Sequence, residues 1–166
     1  MDGLKTNNIV AKLNKKVQST KTAYASWLNS YKWTHFVTLT TPYTLTLKSG
    51  RRLVERVFYK LKEHEFEPSI FWVAERYEVK DGYHLHALLR INKKNLKKHE
   101  LTFICELYQI CAGTSKVGLI DGNIKYLNWS RLDFQKYIKG GGGGAYVTKY
   151  VTKENNSSSA EYDFLI

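Results

Sequence analysis

The stretch Ile70-Phe-Trp-Val-Ala-Glu75-Arg-Tyr-Glu-Val-Lys80-Asp-Gly-Tyr-His84-Leu-His86-Ala-Leu-Leu-Arg-Ile91 decides the fold. Its two halves, Ile70 to Val79 and Tyr83 to Ile91, are rich in aromatic and apolar residues and meet at Lys80-Asp81-Gly82. An Asp-Gly pair tolerates the positive φ of a tight turn, so the two runs are expected to fold back on each other as a β-hairpin. If Asp81-Gly82 forms a two-residue turn, Lys80 pairs with Tyr83, Tyr77 with His86 and Glu75 with Leu88. Side chains two apart on a strand share a face, so His84 and His86 point the same way. In this register Glu75 joins them and Glu78 points to the other side. A loop longer by one residue would reverse the parity and favour Glu78.

Outward from the hairpin, Thr34-His-Phe-Val-Thr-Leu-Thr40 alternates and is rich in β-formers, which reads as a strand ending before Pro42. Between Arg52 and Glu65, the residues Leu53, Val54, Val57, Phe58 and Leu61 form one stripe of an amphipathic helix, with Pro68 beyond its end. Asn95 to Ala112 reads as a second helix, capped by Asn95 and followed by Gly113. Lys116 to Trp129 holds two short strand candidates broken at Asp121-Gly122, and Arg131 to Lys139 reads as a short helix. Five glycines, Gly140 to Gly144, are expected to act as a hinge before a helical segment from Ala145 to Glu154. Strands interleaved with helices around a central hairpin give an α+β sandwich, with helices covering an antiparallel sheet.

Length allows a single domain. Residues 1–16, rich in Lys and Asn, read as a basic N-terminal arm or a short helix against DNA backbone, 17–154 as the domain, and 155–166 as a tail without structure whose Tyr162, Phe164, Leu165 and Ile166 could dock. A net charge of +11 points to a polyanionic partner, first of all nucleic acid, because cations displace the counterions condensed on phosphates. Twelve tyrosines suit stacking on unpaired bases as well as core filling. No apolar run approaches the roughly 20 residues of a membrane span. Cys105 and Cys111 fall on different faces of the expected helix, which argues against a disulfide and for a reducing, cytoplasmic setting.

Two imidazoles and one carboxylate leave coordination positions open, as a catalytic metal site requires. Phosphate chemistry favours Mg or Mn, with the ion polarising a phosphate oxygen. The His-x-His pair by itself is weak, since five histidines in 166 residues produce one by chance with a probability of about 0.15. Two half-buried strand histidines satisfied by hydrogen bonds would look the same.

Downstream, Tyr146-Val-Thr-Lys149-Tyr150-Val-Thr-Lys153 is a tandem repeat of four residues. On a helix Tyr146 and Tyr150 stack one turn apart, with Lys149 and Lys153 in a row beside them. A nucleophilic phenol needs a nearby cation, because its ordinary pKa is about 10. An amphipathic helix with Tyr and Val inside and Lys outside is the competing reading. The glycine run lacks the Lys-Ser or Lys-Thr ending of a nucleotide loop, which argues against ATP binding.

Taken together, Phe36-Val-Thr-Leu-Thr40, Glu75 with His84-Leu-His86-Ala-Leu-Leu89, and the doubled Tyr-x-x-Lys resemble the HUH endonucleases, most closely the replication initiators of small single-stranded DNA phages. The resemblance implies a five-stranded antiparallel sheet of the HUH and RRM-like kind, with His84, His86 and Glu75 as ligands of Mg or Mn at its centre. It implies Tyr146 and Tyr150 as alternate nucleophiles supported by Lys149 and Lys153. It also implies a rolling-circle initiator that nicks a single-stranded, hairpin-prone DNA origin through a 5′-phosphotyrosyl link. Its partners would be host proteins such as a helicase and a polymerase, and Trp129 and Arg131 are candidates to grip the strand. The five glycines are not part of the family pattern. A two-tyrosine transposase or relaxase, and a non-catalytic single-strand binding protein, are the alternatives.

Overall fold

The computed structural model describes residues 3–91, 132–144, 146–147 and 162–166, isolated positions of 104–111 and the backbone of 119–120 and 123–124; at 3–10, 13, 17, 20, 21 and 132 it describes backbone only. The elements in chain order are α1 (Gly3–Ser30), β1 (His35–Leu39), α2 (Leu47–Glu63), β2 (Ser69–Arg76), β3 (Tyr83–Arg90), β4 (Leu119–Ile120), β5 (Asn123–Ile124), β6 (Leu132–Lys136) and β7 (Tyr162–Leu165). Five of the strands form one antiparallel sheet in the order β6-β1-β3-β2-β7. The expected α+β architecture with helices flanking an antiparallel sheet is therefore the observed one.

The sheet is covered on both faces, which is why β2 is buried from Ser69 through Ala74 instead of alternating with solvent. On one face Val37, Leu39, Trp72, Ala74, Leu85, Ala87 and Leu89 pack against Leu53, Val54, Val57, Phe58 and Leu61 of α2 and against Ile104, Leu107, Tyr108 and Cys111. The predicted α2 stripe is thus the buried one, and each of its leucines, fully enclosed, contributes on the order of 1.5–3 kcal/mol. Helix α2 begins five residues before the expected Arg52, because Thr46 and Ser49 form a reciprocal capping box at its start. Gly50 lets it approach the sheet, since a Cβ there would stand 3.2 Å from Leu85 Cδ2.

The second face carries Phe71, Val73 and Leu88, covered by Leu28, Trp33 and Val147. Helix α1 runs without a break through residue 16, so the expected boundary between an arm and a domain does not exist there. Its sequence is too polar to show a 3.6-residue period; it is the C-terminal end that docks, through Tyr24, Trp27, Leu28 and Tyr31. The Trp33 indole donates to the Leu28 carbonyl at 2.7 Å and closes the turn into β1.

Three further expectations are corrected. The hairpin loop is six residues long, Tyr77–Gly82, and Glu75 pairs with His84, Val73 with His86 and Arg76 with Tyr83. A two-residue turn fails because Gly82, at φ +96°, is packed beneath Thr44 and Leu45, and Tyr83 N–H donates to the Leu45 carbonyl at 3.1 Å. Residues 132–136 are the edge strand β6 and not a helix: Phe134 turns to the core while Asp133 and Gln135 turn to the other face, a period of two disguised by having one apolar residue. The end of the tail is the opposite edge strand, β7, because Tyr162 and Phe164 reach the aromatic cluster on one face while Leu165 reaches the α2 core and Asp163 pairs with Arg51 on the other. The two short strands broken at Asp121-Gly122 are present as the β4-β5 pair. The expected helix over 95–112 lies largely outside the described residues, although Ile104, Leu107, Tyr108 and Cys111 are helical. No helix among the described residues is long and apolar enough to cross a membrane.

Candidate metal centre

The corrected register keeps Glu75 with the histidines, because it differs from the expected one by an even number of residues and so preserves the face. Glu75 and His84 are directly opposed across β2 and β3, and His86 lies one pleat further along β3. Both Nε2 atoms converge on one carboxylate oxygen: Glu75 Oε2 is 2.9 Å from His84 Nε2 and 2.8 Å from His86 Nε2. The three side chains are shielded, with His86 only 6% exposed and the other two 18%.

Their placement fits a divalent ion. The three donor atoms lie within 4.8 Å of one another. Neighbouring ligands about 2.1 Å from a shared ion, at right angles, stand about 3.0 Å apart, close to the two distances observed. Each ring is aimed by its surroundings. Thr38 Oγ1 lies 3.1 Å from His86 Nδ1, the outer hydrogen bond that fixes the orientation of a metal-binding imidazole. Phe36 stacks parallel to the same ring at 6.0 Å. His84 leans on the ring of Tyr77 at 4.8 Å, which Lys80 covers in turn, and its Nδ1 is buried without a hydrogen-bond partner among the described residues. An unsatisfied ring nitrogen costs stability, so this orientation has to be favoured by what Nε2 holds. Burial pushes the His86 imidazole below its ordinary pKa, outweighing the opposing hydrogen bond to Glu75, so the ring is held in the neutral form that a metal ligand needs.

Tyr146 stands over this group. Its hydroxyl points at Glu75 Oε2 from 3.5 Å, the outer limit of a hydrogen bond, and its ring meets Phe36 edge-on at 5.9 Å. The phenol is 40% exposed whereas its neighbour Val147 is fully buried, so Val147 anchors the segment and Tyr146 faces the opening. The glycine run that delivers it is an ordered turn. Gly141 N–H donates to the Ile138 carbonyl at 2.9 Å, and Tyr146 N–H donates to the Gly142 carbonyl at 2.7 Å. Beneath it, the Tyr137 hydroxyl donates to Asn29 Oδ1 of α1 at 2.8 Å, with Gly144 pressed against both groups.

Of the residues expected from the sequence, Glu75, His84, His86 and Tyr146 are brought together. Tyr150, Lys149, Lys153, Trp129 and Arg131 lie outside the described residues. Sequence reasoning missed Phe36, Thr38 and Asp133, which share the histidine face; the alternation of β1 was the available signal for the first two, but only strand pairing shows which face it is.

Residues 34–155, well over half of the chain, match a family model described as replication-associated protein ORF2. That span contains the three ligand candidates and Tyr146. No curated protein and no solved structure matches the chain.

Proposed function

Because the chain belongs to this family of replication-associated proteins, we propose that it initiates rolling-circle replication by nicking single-stranded DNA with a tyrosine nucleophile. The observation that carries this reading is the approach of the Tyr146 hydroxyl to within 3.5 Å of the carboxylate oxygen on which both histidines converge. A phenol, two neutral imidazoles and a carboxylate at one opening are the parts needed for transesterification of a phosphodiester.

Glu75, His84 and His86 would hold the divalent ion, Mg or Mn, which supplies charge stabilisation at a phosphate oxygen. The chain's own residues do the rest. Val147 and the glycine turn fix where Tyr146 enters, and Phe36 limits the rotation of its ring. In the reaction the Tyr146 oxygen bonds to phosphorus as the bond from phosphorus to the 3′ oxygen breaks. The phenol proton is lost to solvent, and the departing oxygen takes a proton to become a 3′ hydroxyl that a polymerase can extend. The 5′ side stays esterified to the tyrosine, so the phosphodiester energy is conserved and no ATP is needed. Tyr150, four residues on, is proposed as the second nucleophile that cuts the regenerated origin, with Lys149 and Lys153 drawing the scissile phosphate in.

The test is incubation of the full chain with Mn²⁺ and a labelled single-stranded oligonucleotide carrying its origin. A covalent protein–DNA adduct that survives denaturant, maps to Tyr146 or Tyr150 and is lost in the Tyr146→Phe, Tyr150→Phe double variant is the expected result. Tight binding with no adduct would leave a single-strand binding protein instead.

A further inference from the structure

The metal centre occupies one end of an open cleft of about 440 Å³, within the roughly 300–1,000 Å³ typical of ligand sites. The rest of that cleft has no part in the chemistry above. Phe36 and Thr38 of β1 and Asp133 and Gln135 of β6 line it, and Tyr146 and the glycine turn 141–143 complete its lining. Gly142, at φ +92°, would have nothing within 4 Å of a Cβ, so the turn offers bare backbone to an occupant.

The charge of the cleft is the informative feature. In a chain of net charge +11, a surface meant for phosphate would present cations, yet here an exposed carboxylate, Asp133, stands on the cleft. It is not among the group that could hold an ion, which is Glu75, His84 and His86. It is also held in place: the Gln135 side-chain amide donates to both of its oxygens, at 2.9 and 3.1 Å. A fixed carboxylate repels phosphate and accepts N–H donors, and its two oxygens match a pair of donors side by side. In single-stranded DNA those donors are on the open edges of the bases, and the aromatic rings of Phe36 and Tyr146 are the accompanying apolar surface.

We propose that this cleft takes the base of a nucleotide beside the scissile phosphate and selects guanine. Guanine alone among the four bases places two adjacent donors, N1–H and the exocyclic N2–H, on its Watson–Crick edge. Adenine, cytosine and thymine each place one there. Asp133 is the specificity residue and Gln135 positions it. The proposal rests on the nickase reading in supposing that the strand crosses the metal centre, but its readout is separate.

The test is a titration of ¹⁵N-labelled full chain, in Mg²⁺, with dGMP, dAMP, dCMP and dTMP in turn, followed by the backbone amide shifts of Gly141 to Gly143 and Gln135. The expected result is shifts at those amides and an affinity for dGMP about tenfold above that for dTMP. In Asp133→Asn, a conservative change on an exposed position, the ratio falls to near one while dTMP affinity is unchanged. Equal affinities, shifts located elsewhere, or a guanine preference that survives Asp133→Asn would each overturn the proposal. Weaker Mn²⁺ binding in Asp133→Asn with no change in base preference would assign the carboxylate to the metal centre and overturn it as well. Adduct formation reports on nicking independently: its failure leaves a base preference standing, and loss of base preference with adducts intact removes only this pocket.

Discussion

The ring of Tyr146 stands edge-on to the imidazole of His86, with centroids 4.9 Å apart and planes at 83°. A side chain this close to a ligand must sense the ion. With fluorinated tyrosine in the chain, Mn²⁺ is expected to broaden first the ¹⁹F signal that disappears in Tyr146→Phe. The broadening should be lost in the His84→Ala, Glu75→Ala double variant. If the Tyr146 signal stays sharp at saturating Mn²⁺, the ion lies elsewhere.

Thr38 does not reach the ion position but sits against the far nitrogen of His86, 3.1 Å away. Thr38→Val keeps the β-branched shape that suits β1 and removes only the hydroxyl. Outer-shell changes of this kind weaken metal binding by about 10- to 100-fold. Calorimetric titration with Mn²⁺ should show a loss in that range with an unchanged far-UV spectrum; an unaltered affinity would mean the ring needs no such support.

The Gly144 position tests whether the glycine run serves as packing or as a hinge. A Cβ there would stand 3.0 Å from Asn29 Oδ1 and 3.2 Å from the Tyr137 hydroxyl, and would wedge the hydrogen bond on which the turn rests. Gly144→Ala is expected to slow adduct formation by roughly 10- to 100-fold, because misplacing a nucleophile by about an ångström costs that much. Global stability should fall by only about 1 kcal/mol, the worth of one hydrogen bond. A faster or unchanged rate would favour the hinge.

The buried His86 ring also makes the metal-free protein sensitive to acid. Its pKa in the folded state is depressed, chiefly by burial, below the ordinary value of 6.5, so in that window the unfolded chain binds the extra proton. Stability is therefore fully present above the ordinary imidazole value and declines as the pH falls from there toward the folded value. Thermal unfolding of the chelated protein between pH 8 and pH 5 should show that decline. In His86→Gln the part of the slope due to this ring should vanish.

Much of the fold was written in local pattern. The hairpin, the α2 stripe and the β1 alternation each follow from a period visible within about ten residues, and they form the inner sheet and one of its covers. Glu75 joined the histidines even though the loop length was misread, because face depends only on parity and the error was even. What was hidden depends on tertiary contact. Strand β6 carries a single inward apolar side chain, Phe134, too few to display a period of two. Helix α1 is polar over most of its length and is held at its end by rings from β2 and β7. Strand β7 has four residues whose value lies in the sheet edge they complete. Thr38 and Asp133 come to the site through register alone, as the Cα partners of each other across β1 and β6.

The order of strands has a mechanical meaning. The chain leaves the sheet at one edge, β6, and returns to it at the opposite edge, β7, and Tyr146 belongs to the segment between them. Tension on a DNA strand esterified to that tyrosine would run along the backbone in two directions and reach both outermost strands. Each strand is hydrogen-bonded along its length to a different inner neighbour, β1 on one side and β2 on the other. Pulling would thus be shared between two anchorages on opposite sides of the domain, a tether with two roots suited to a protein whose substrate is being drawn away by a moving polymerase.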